Sequence, residues 1–119
     1  MPRQLSPLRP LFLFQVTDKD GFMVFMERNC WYGHILQRRN RRMKHRLIDV
    51  KSTLQNPERV DIQMVDSVCN RVYFRRWKDR DPYGNEYLKV ATEVIDMKQK
   101  WARVLTAVPL WVLPPSSGS

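Results

Sequence analysis

The second half of the chain constrains the fold most, because four strand-like segments follow one another there with short connections. Residues 59–65, 68–77, 87–95 and 101–108 alternate polar and apolar side chains or are rich in β-branched and aromatic residues. Consecutive strands joined by short connections pair in antiparallel fashion. The pattern therefore predicts a four-stranded antiparallel meander.

The first half predicts a hairpin and two helices. The runs 11–17 and 22–27 flank "DKDG", whose Asp and Gly are typical of a tight hairpin. Asn29 is a candidate cap for a first helix that begins at Cys30. A second helix is predicted from about residue 42 to residue 54, because apolar side chains recur there at i, i+4, i+7 and i+11.

"NP" at Asn56–Pro57 predicts where the second helix stops. Helices segregated from a meander indicate an α+β domain. We therefore expect an N-terminal hairpin and two helices packed on the four-stranded antiparallel sheet.

A chain of 119 residues suits one domain. We expect that domain over residues 11–110, after an irregular Pro-rich lead-in at 1–10 and before a mobile Pro/Ser-rich tail at 111–119. No secretory signal is visible, and no apolar run approaches the roughly 20 residues of a membrane span. An intracellular protein with no membrane contact is the expectation.

Cys30 and Cys69 are the only cysteines, and their spacing fits neither a zinc site nor a disulfide framework. We expect two buried free thiols, no metal and no cofactor.

The net charge of +9 favours a polyanionic partner such as nucleic acid, an acidic protein or an anionic membrane surface. Like charges crowd one another in a basic run, and a phosphate backbone would relieve their repulsion. The alternative interpretation is that the basic run is the solvated end of a helix. The run contains Arg38, Arg39, Arg41, Arg42, Lys44, His45 and Arg46.

Strand alternation assigns Val72 and Phe74 to the core face of the sheet. Aromatic side chains that stack bases, with cations that meet phosphates, suit single-stranded RNA. An ordinary solvated sheet face is the alternative. The opposite, solvent face is expected to present Arg71, Tyr73, Arg75, Tyr87 and Lys89.

His34 is the candidate catalytic residue. Metal-independent RNA cleavage needs a group that takes the 2′-hydroxyl proton and one that protonates the leaving oxygen, and a histidine serves either role near neutral pH. Arg75 and Lys89 are candidates for stabilising the charge of the transition state, and Thr106 or Tyr73 for orienting the phosphate. A structural or surface histidine is the alternative.

Five segments follow one another along the chain. They are "GHILQR" (33–38), "LIDVKSTLQNPERV" (47–60), "RVYFRRW" (71–77), "YLKVATEV" (87–94) and "RVLTAV" (103–108). In this order they resemble the phage-associated nucleases of the barnase–EndoU–colicin–RelE superfamily. The resemblance implies a metal-independent ribonuclease with two helices followed by a four-stranded antiparallel sheet, often a toxin or an effector of a mobile element.

Carried over to this sequence, the resemblance implies that His34, Arg75, Lys89 and Thr106 form the catalytic set. The family commonly follows "HI" with a second histidine and a proline, where this chain has Arg39 and Asn40. RNA contacts are expected from Arg38, Arg39, Arg42, Lys44, Arg46, Arg71, Tyr73, Arg76 and Tyr87.

Thr106 raises a question of strand geometry, because a regular strand places it on the core side with Val104. Either a β-bulge turns its hydroxyl to the other face, or Thr106 is structural.

Three functional hypotheses follow. The first is a metal-independent endoribonuclease that cleaves by 2′-hydroxyl transesterification, with RNA and an acidic antitoxin or immunity protein as partners. The second is a non-catalytic RNA-binding module of the same fold, and the third is a protein-interaction component of a phage or plasmid. The first requires His34 to approach Arg75 and Lys89 within about 8 Å across one cleft.

Overall fold

The computed structural model of the chain describes residues 12–77 and 84–115, without the side chains of residues 39–42. The predicted lead-in at 1–10 and the last part of the predicted tail, 116–119, lie outside the described residues. The strands are β1 (Phe12–Thr17), β2 (Met23–Glu27), β3 (Arg59–Val65), β4 (Val68–Arg76), β5 (Tyr87–Asp96) and β6 (Trp101–Leu110), and the helices are α1 (residues 28–43) and α2 (Leu47–Gln55).

The chain is α+β, but the prediction of a four-stranded antiparallel sheet is wrong. All six strands form one mixed sheet in the order β1-β2-β6-β5-β4-β3, in which β2 and β6 run parallel. The predicted hairpin forms, and its strand β2 adds to the edge of β6 instead of packing separately. A bond from the backbone N–H of Met23 to the carbonyl of Lys100 (2.8 Å) begins this junction. It satisfies backbone groups that would otherwise be free at the edge of β6.

The helices differ from their predicted limits. Helix α1 already begins at Arg28, directly after Glu27, with no side-chain cap, so the predicted start at Cys30 capped by Asn29 is wrong. It continues to Met43, and Met43 therefore belongs to α1 and not to the second helix. Helix α2 ends before Asn56, as the "NP" pair predicts. No helix in the described ranges is long and apolar enough to cross a membrane.

A π-helical segment, Trp31–Ile35, interrupts α1. The N–H of Leu36 bonds to the carbonyl of Trp31, five residues earlier, which widens this turn. Trp31 and Ile35 are both buried. The wide turn therefore lies against the core of the protein.

The core fills the space between the helices and one face of the sheet, which we call the inner face. Helix α2 packs against β1, β4 and β5, and the π-helical segment packs against β6. The core includes Leu54 of α2 and Ile35 of α1, together with Val90 and Val104 from the sheet. The opposite, outer face of the sheet is not covered by α1 or α2.

The face assigned to β4 from the sequence is wrong. Arg71 and Tyr73 were expected in solvent, yet they are 4% and 0% exposed and lie on the inner face. Asp18, in the turn between β1 and β2, explains this. Its Oδ2 accepts hydrogen bonds from the Tyr73 hydroxyl (2.5 Å) and from Arg71 Nη2 (3.1 Å).

Both oxygens of the Asp18 carboxylate accept hydrogen bonds. Its Oδ1 accepts the backbone N–H groups of Asp20 and Phe22, each at 2.8 Å. Arg71 in turn donates to Asp20 (2.6 Å), and its guanidinium carbon lies 4.3 Å from the centre of the Phe22 ring. Buried charges are tolerated when they are paired and hydrogen-bonded in this way. The network joins the hairpin turn to β4.

Val72 and Phe74 consequently lie on the outer face, opposite to their predicted position. They are nevertheless buried, at 4% and 3% exposure. The guanidinium of Arg59 lies 4.5 Å from the centre of the Phe74 ring and also pairs with Asp61 at 3.0 Å. The stem of the Arg59 side chain thus covers apolar surface that neither α1 nor α2 reaches.

Replacing Asp18 with alanine is expected to lower the free energy of unfolding by about 3–5 kcal/mol, because Arg71 and Tyr73 lose their buried acceptor. Asp20→Ala is the matched control. The Asp20 side chain is 49% exposed, so its loss is expected to cost less than about 1 kcal/mol. Urea denaturation measures both values, and equal small losses would contradict the role given to Asp18.

Candidate nucleic-acid interface

The four predicted catalytic residues do not share one face of the sheet. Arg75 lies opposite Leu88 on the inner face, whereas Lys89 lies opposite Phe74 on the outer face. Neighbouring residues of a strand point to opposite faces of the sheet, so Lys89 points away from the face on which Leu88 and Arg75 lie. No single cleft therefore holds both Arg75 and Lys89.

Thr106 lies on the outer face with Lys89. It pairs with Ala91, while Val104 pairs with Thr92, so β6 holds one extra residue at Leu105. This is a β-bulge, and it reverses the alternation of side chains. Of the two alternatives for Thr106, the structure shows the bulge.

His34 belongs to the π-helical segment and is partly exposed. The helix holds it on the inner side of the sheet, where the sulfur of Cys30 lies 3.2 Å from the carbonyl oxygen of Val104. The sheet therefore separates His34 from Lys89 and Thr106. Within the described ranges, no hydrogen bond or ion pair joins His34 to Arg75.

A cleft of about 280 Å³ opens between α2 and the paired strands β4 and β5. We call it the arginine cleft. Its volume is close to the lower limit of roughly 300 Å³ for small-molecule sites. The lining residues are Ile48, Asp49, Ser52, Thr53, Asn56, Arg75, Arg76, Trp77 and Leu88.

Two guanidinium groups line this cleft, and the carboxylates of Glu58 and Glu86 interact electrostatically with that of Arg76. Arg75 donates to the backbone carbonyl of Asn56 (2.6 Å), and Arg76 donates to the hydroxyl of Tyr87 (3.0 Å). A guanidinium has five N–H donors, so most remain available in each. Such groups form paired hydrogen bonds with phosphate oxygens.

The cleft wall carries the carboxylate of Asp49, which forms a salt bridge of 3.3 Å with Arg46. The guanidinium of Arg46 also lies 4.9 Å from the ring centre of Trp77. Arg46 connects the end of the basic run to the cleft in this way. Among the residues that line the cleft, the two positive charges of Arg75 and Arg76 outnumber the one negative charge of Asp49.

The cleft follows from local structure. Helix α2 ends at Gln55, and the next carbonyl, that of Asn56, is left free to accept Arg75. Arg75 and Trp77 lie on the inner side of β4 because they alternate with Tyr73, which Asp18 holds there.

The predicted RNA-contact residues separate into three groups. Arg71 and Tyr73 are buried and not available to a ligand in this structure. The side chains of Arg39 and Arg42 lie outside the described residues. The remaining residues are exposed or partly exposed, and they are Arg38, Lys44, Arg46, Arg76 and Tyr87.

Sequence reasoning missed Trp77, Ser52 and Asn56 as parts of the cleft. The spacing of Trp77, two residues after Arg75, was a usable signal, because it places both on one face of a strand. Ser52 and Asn56 carry a weaker signal, since they are four residues apart, Ser52 in the last turn of α2 and Asn56 directly after the helix.

Both cysteines are free and partly buried. Burial, with a smaller effect of Glu27, raises the pKa of the Cys30 thiol from 9.0 to about 11. No group of three or more metal-ligating side chains occurs within residues 12–77 and 84–115.

No family model matches the chain, and no curated protein or solved structure matches it. The resemblance to the nuclease superfamily stays a prediction from the motifs.

Cys30 is expected to react slowly with iodoacetamide in the folded protein. A pKa near 11 leaves about a hundredfold less thiolate at pH 8 than the ordinary 9.0 does, and the thiolate is the reactive form. Peptide mass spectrometry measures the labelling of Cys30 in native and urea-unfolded protein. The native rate is expected to rise about tenfold per pH unit, and labelling at the unfolded rate would contradict the assignment.

Proposed function

We propose that the protein binds RNA, with phosphate groups seated in the arginine cleft. The observation that carries the proposal is the pair Arg75 and Arg76. They are adjacent in the chain, both line the cleft, and each guanidinium donates to an uncharged oxygen, Arg75 to the carbonyl of Asn56 and Arg76 to the hydroxyl of Tyr87. Phosphate oxygens fit the donors that these side chains retain.

The distribution of charge supports a polyanion. The chain carries a net charge of +9, and the exposed side chains of Arg38 and Lys44 lie on the segment that leads to Arg46 and the cleft. A phosphate backbone that follows this segment would release its counterions and relieve the repulsion between its cations. Ser52 and Asn56 add neutral polar groups to the cleft.

The proposal favours single strands over duplexes. A cleft of about 280 Å³ has room for one phosphate group and its immediate surroundings, but not for a helix. The partly exposed ring of Tyr87 lies 5.3 Å from the guanidinium carbon of Arg76 and offers a base a stacking surface. The intracellular location and the acidic protein inhibitor predicted from the sequence remain parts of this proposal.

Cleavage of the bound RNA stays a prediction. His34 and Arg75 lie on the inner side of the sheet, and Lys89 and Thr106 lie on the outer face, so a cleavage centre would have to work without the latter two. The geometry therefore supports RNA binding better than it supports the complete catalytic set.

The double variant Arg75→Ala/Arg76→Ala is expected to bind a fluorescein-labelled single-stranded RNA about tenfold more weakly or worse, because two charged hydrogen-bond donors are lost. Lys19→Ala/Lys98→Ala is the matched control, since it removes the same charge from exposed residues in other turns. Fluorescence anisotropy at fixed salt measures both. An equal loss in the two variants would contradict binding in the cleft.

Incubation of the same RNA in EDTA tests cleavage separately. Products that end in a 2′,3′-cyclic phosphate, absent with His34→Ala while binding is kept, would establish the ribonuclease. RNA that is bound and remains intact with the wild-type protein would leave a binding protein and contradict the catalytic prediction.

A further inference from the structure

The arginine cleft contains a buried donor that is unpaired. Trp77 lines the cleft and is 4% exposed, and its indole N–H forms no hydrogen bond with another described residue. A buried donor without an acceptor is unfavourable, and most buried polar groups in folded proteins are paired. An acceptor oxygen supplied by a ligand would pair this N–H.

Other donors of the cleft are available as well. The side chains of Ser52 and Asn56 form no hydrogen bond within the described ranges. Arg75 uses one of its five N–H donors for the carbonyl of Asn56, and the others remain. The carboxylate of Asp49 repels an anion less than a free carboxylate would, because Arg46 forms a salt bridge with it. The lining is therefore rich in donors and suits a ligand with several anionic oxygens.

Buried side chains form the floor of the cleft. Thr53 of α2 and Leu88 of β5 line it and are each 1% exposed, and Trp77 adjoins them at the end of β4. An internal phosphate of an RNA strand would bring a nucleotide on each side, for which a volume of about 280 Å³ has no room. A phosphate at the end of a strand brings a nucleotide on one side alone.

We propose that the arginine cleft binds a phosphomonoester at the end of an RNA strand and so selects strands that carry a terminal phosphate. This inference rests on the proposed function and narrows its ligand. A monoester presents three acceptor oxygens and a charge of about −1.5 to −2 at pH 7, whereas an internal phosphate carries a single negative charge.

The donors divide between these oxygens. The guanidinium of Arg75 pairs with two of them, as guanidinium groups do with phosphate. The third oxygen accepts from the indole N–H of Trp77 and from the hydroxyl of Ser52, which line the same cleft. The internal phosphate of a diester has no third free oxygen for these two donors.

Competition for the fluorescein-labelled RNA tests the inference. Unlabelled competitors of one short sequence end in a 5′-phosphate, in a 3′-phosphate or in hydroxyls at both ends. They are made of 2′-O-methyl RNA, which cannot be cleaved through its 2′-hydroxyl. At least one phosphorylated competitor is expected to displace the labelled RNA at about tenfold lower concentration than the hydroxyl competitor, because charged hydrogen bonds are gained. The end that gives the gain identifies which phosphate the cleft takes.

The proposed function and this inference fail in different ways. Equal displacement by all three competitors, with Arg75→Ala/Arg76→Ala weakening all of them, would overturn the terminal-phosphate inference and leave RNA binding in the cleft. A wild-type protein that binds none of these strands would overturn both.

Two substitutions test the assigned donors. Trp77→Phe keeps an aromatic ring and removes the N–H, and Ser52→Ala removes the hydroxyl from a helix that tolerates alanine well. Each is expected to reduce the preference for the phosphorylated end and to leave displacement by the hydroxyl competitor nearly unchanged. Trp111→Phe is the matched control, because Trp111 is 57% exposed and outside the lining of the cleft, and it is expected to keep the full preference. A full preference in both Trp77→Phe and Ser52→Ala would overturn the inference.

Discussion

The carboxylate of Asp18 determines which way the central part of the molecule faces. It accepts two backbone N–H groups of its own turn and the side-chain donors of Arg71 and Tyr73. With these partners a guanidinium and a phenol are stable on the buried inner face of β4, where an unpaired charge would be very unfavourable. The network also fixes the hairpin turn against β4, although the two elements are separated in the sheet by β6 and β5.

The position of the candidate site follows from that orientation. With Arg71 and Tyr73 on the inner face, the alternation of side chains along the strand places Arg75 and Trp77 on that face as well, beside the end of α2. The same alternation, carried through the β4–β5 register, places Lys89 on the outer face. A structure with β4 reversed would expose a basic sheet surface, and it would have no arginine cleft.

The sequence predicts what depends on neighbouring residues. The hairpin at "DKDG" and the four strands after residue 58 form, and α2 ends before Asn56. The orientation of β4 was not predictable from its own residues, because Asp18 is 53 positions away from Arg71. The parallel junction of β2 with β6 and the bulge at Leu105 likewise depend on contacts between distant segments. Thr106 illustrates the limit, since both of its possible faces were recognised and the bulge decided between them.

The ionisation of Tyr73 tests this account most directly. Burial, together with the hydrogen bond to Asp18, raises the pKa of Tyr73 above its ordinary value of 10.0. In protein labelled with ¹³C at the tyrosine ζ carbon, the resonance that Tyr73→Phe removes is expected to keep its neutral position through pH values of about 10 to 11, where ordinary tyrosines titrate. A Tyr73 resonance that titrates near pH 10 with exposed tyrosines would contradict the inward orientation of β4.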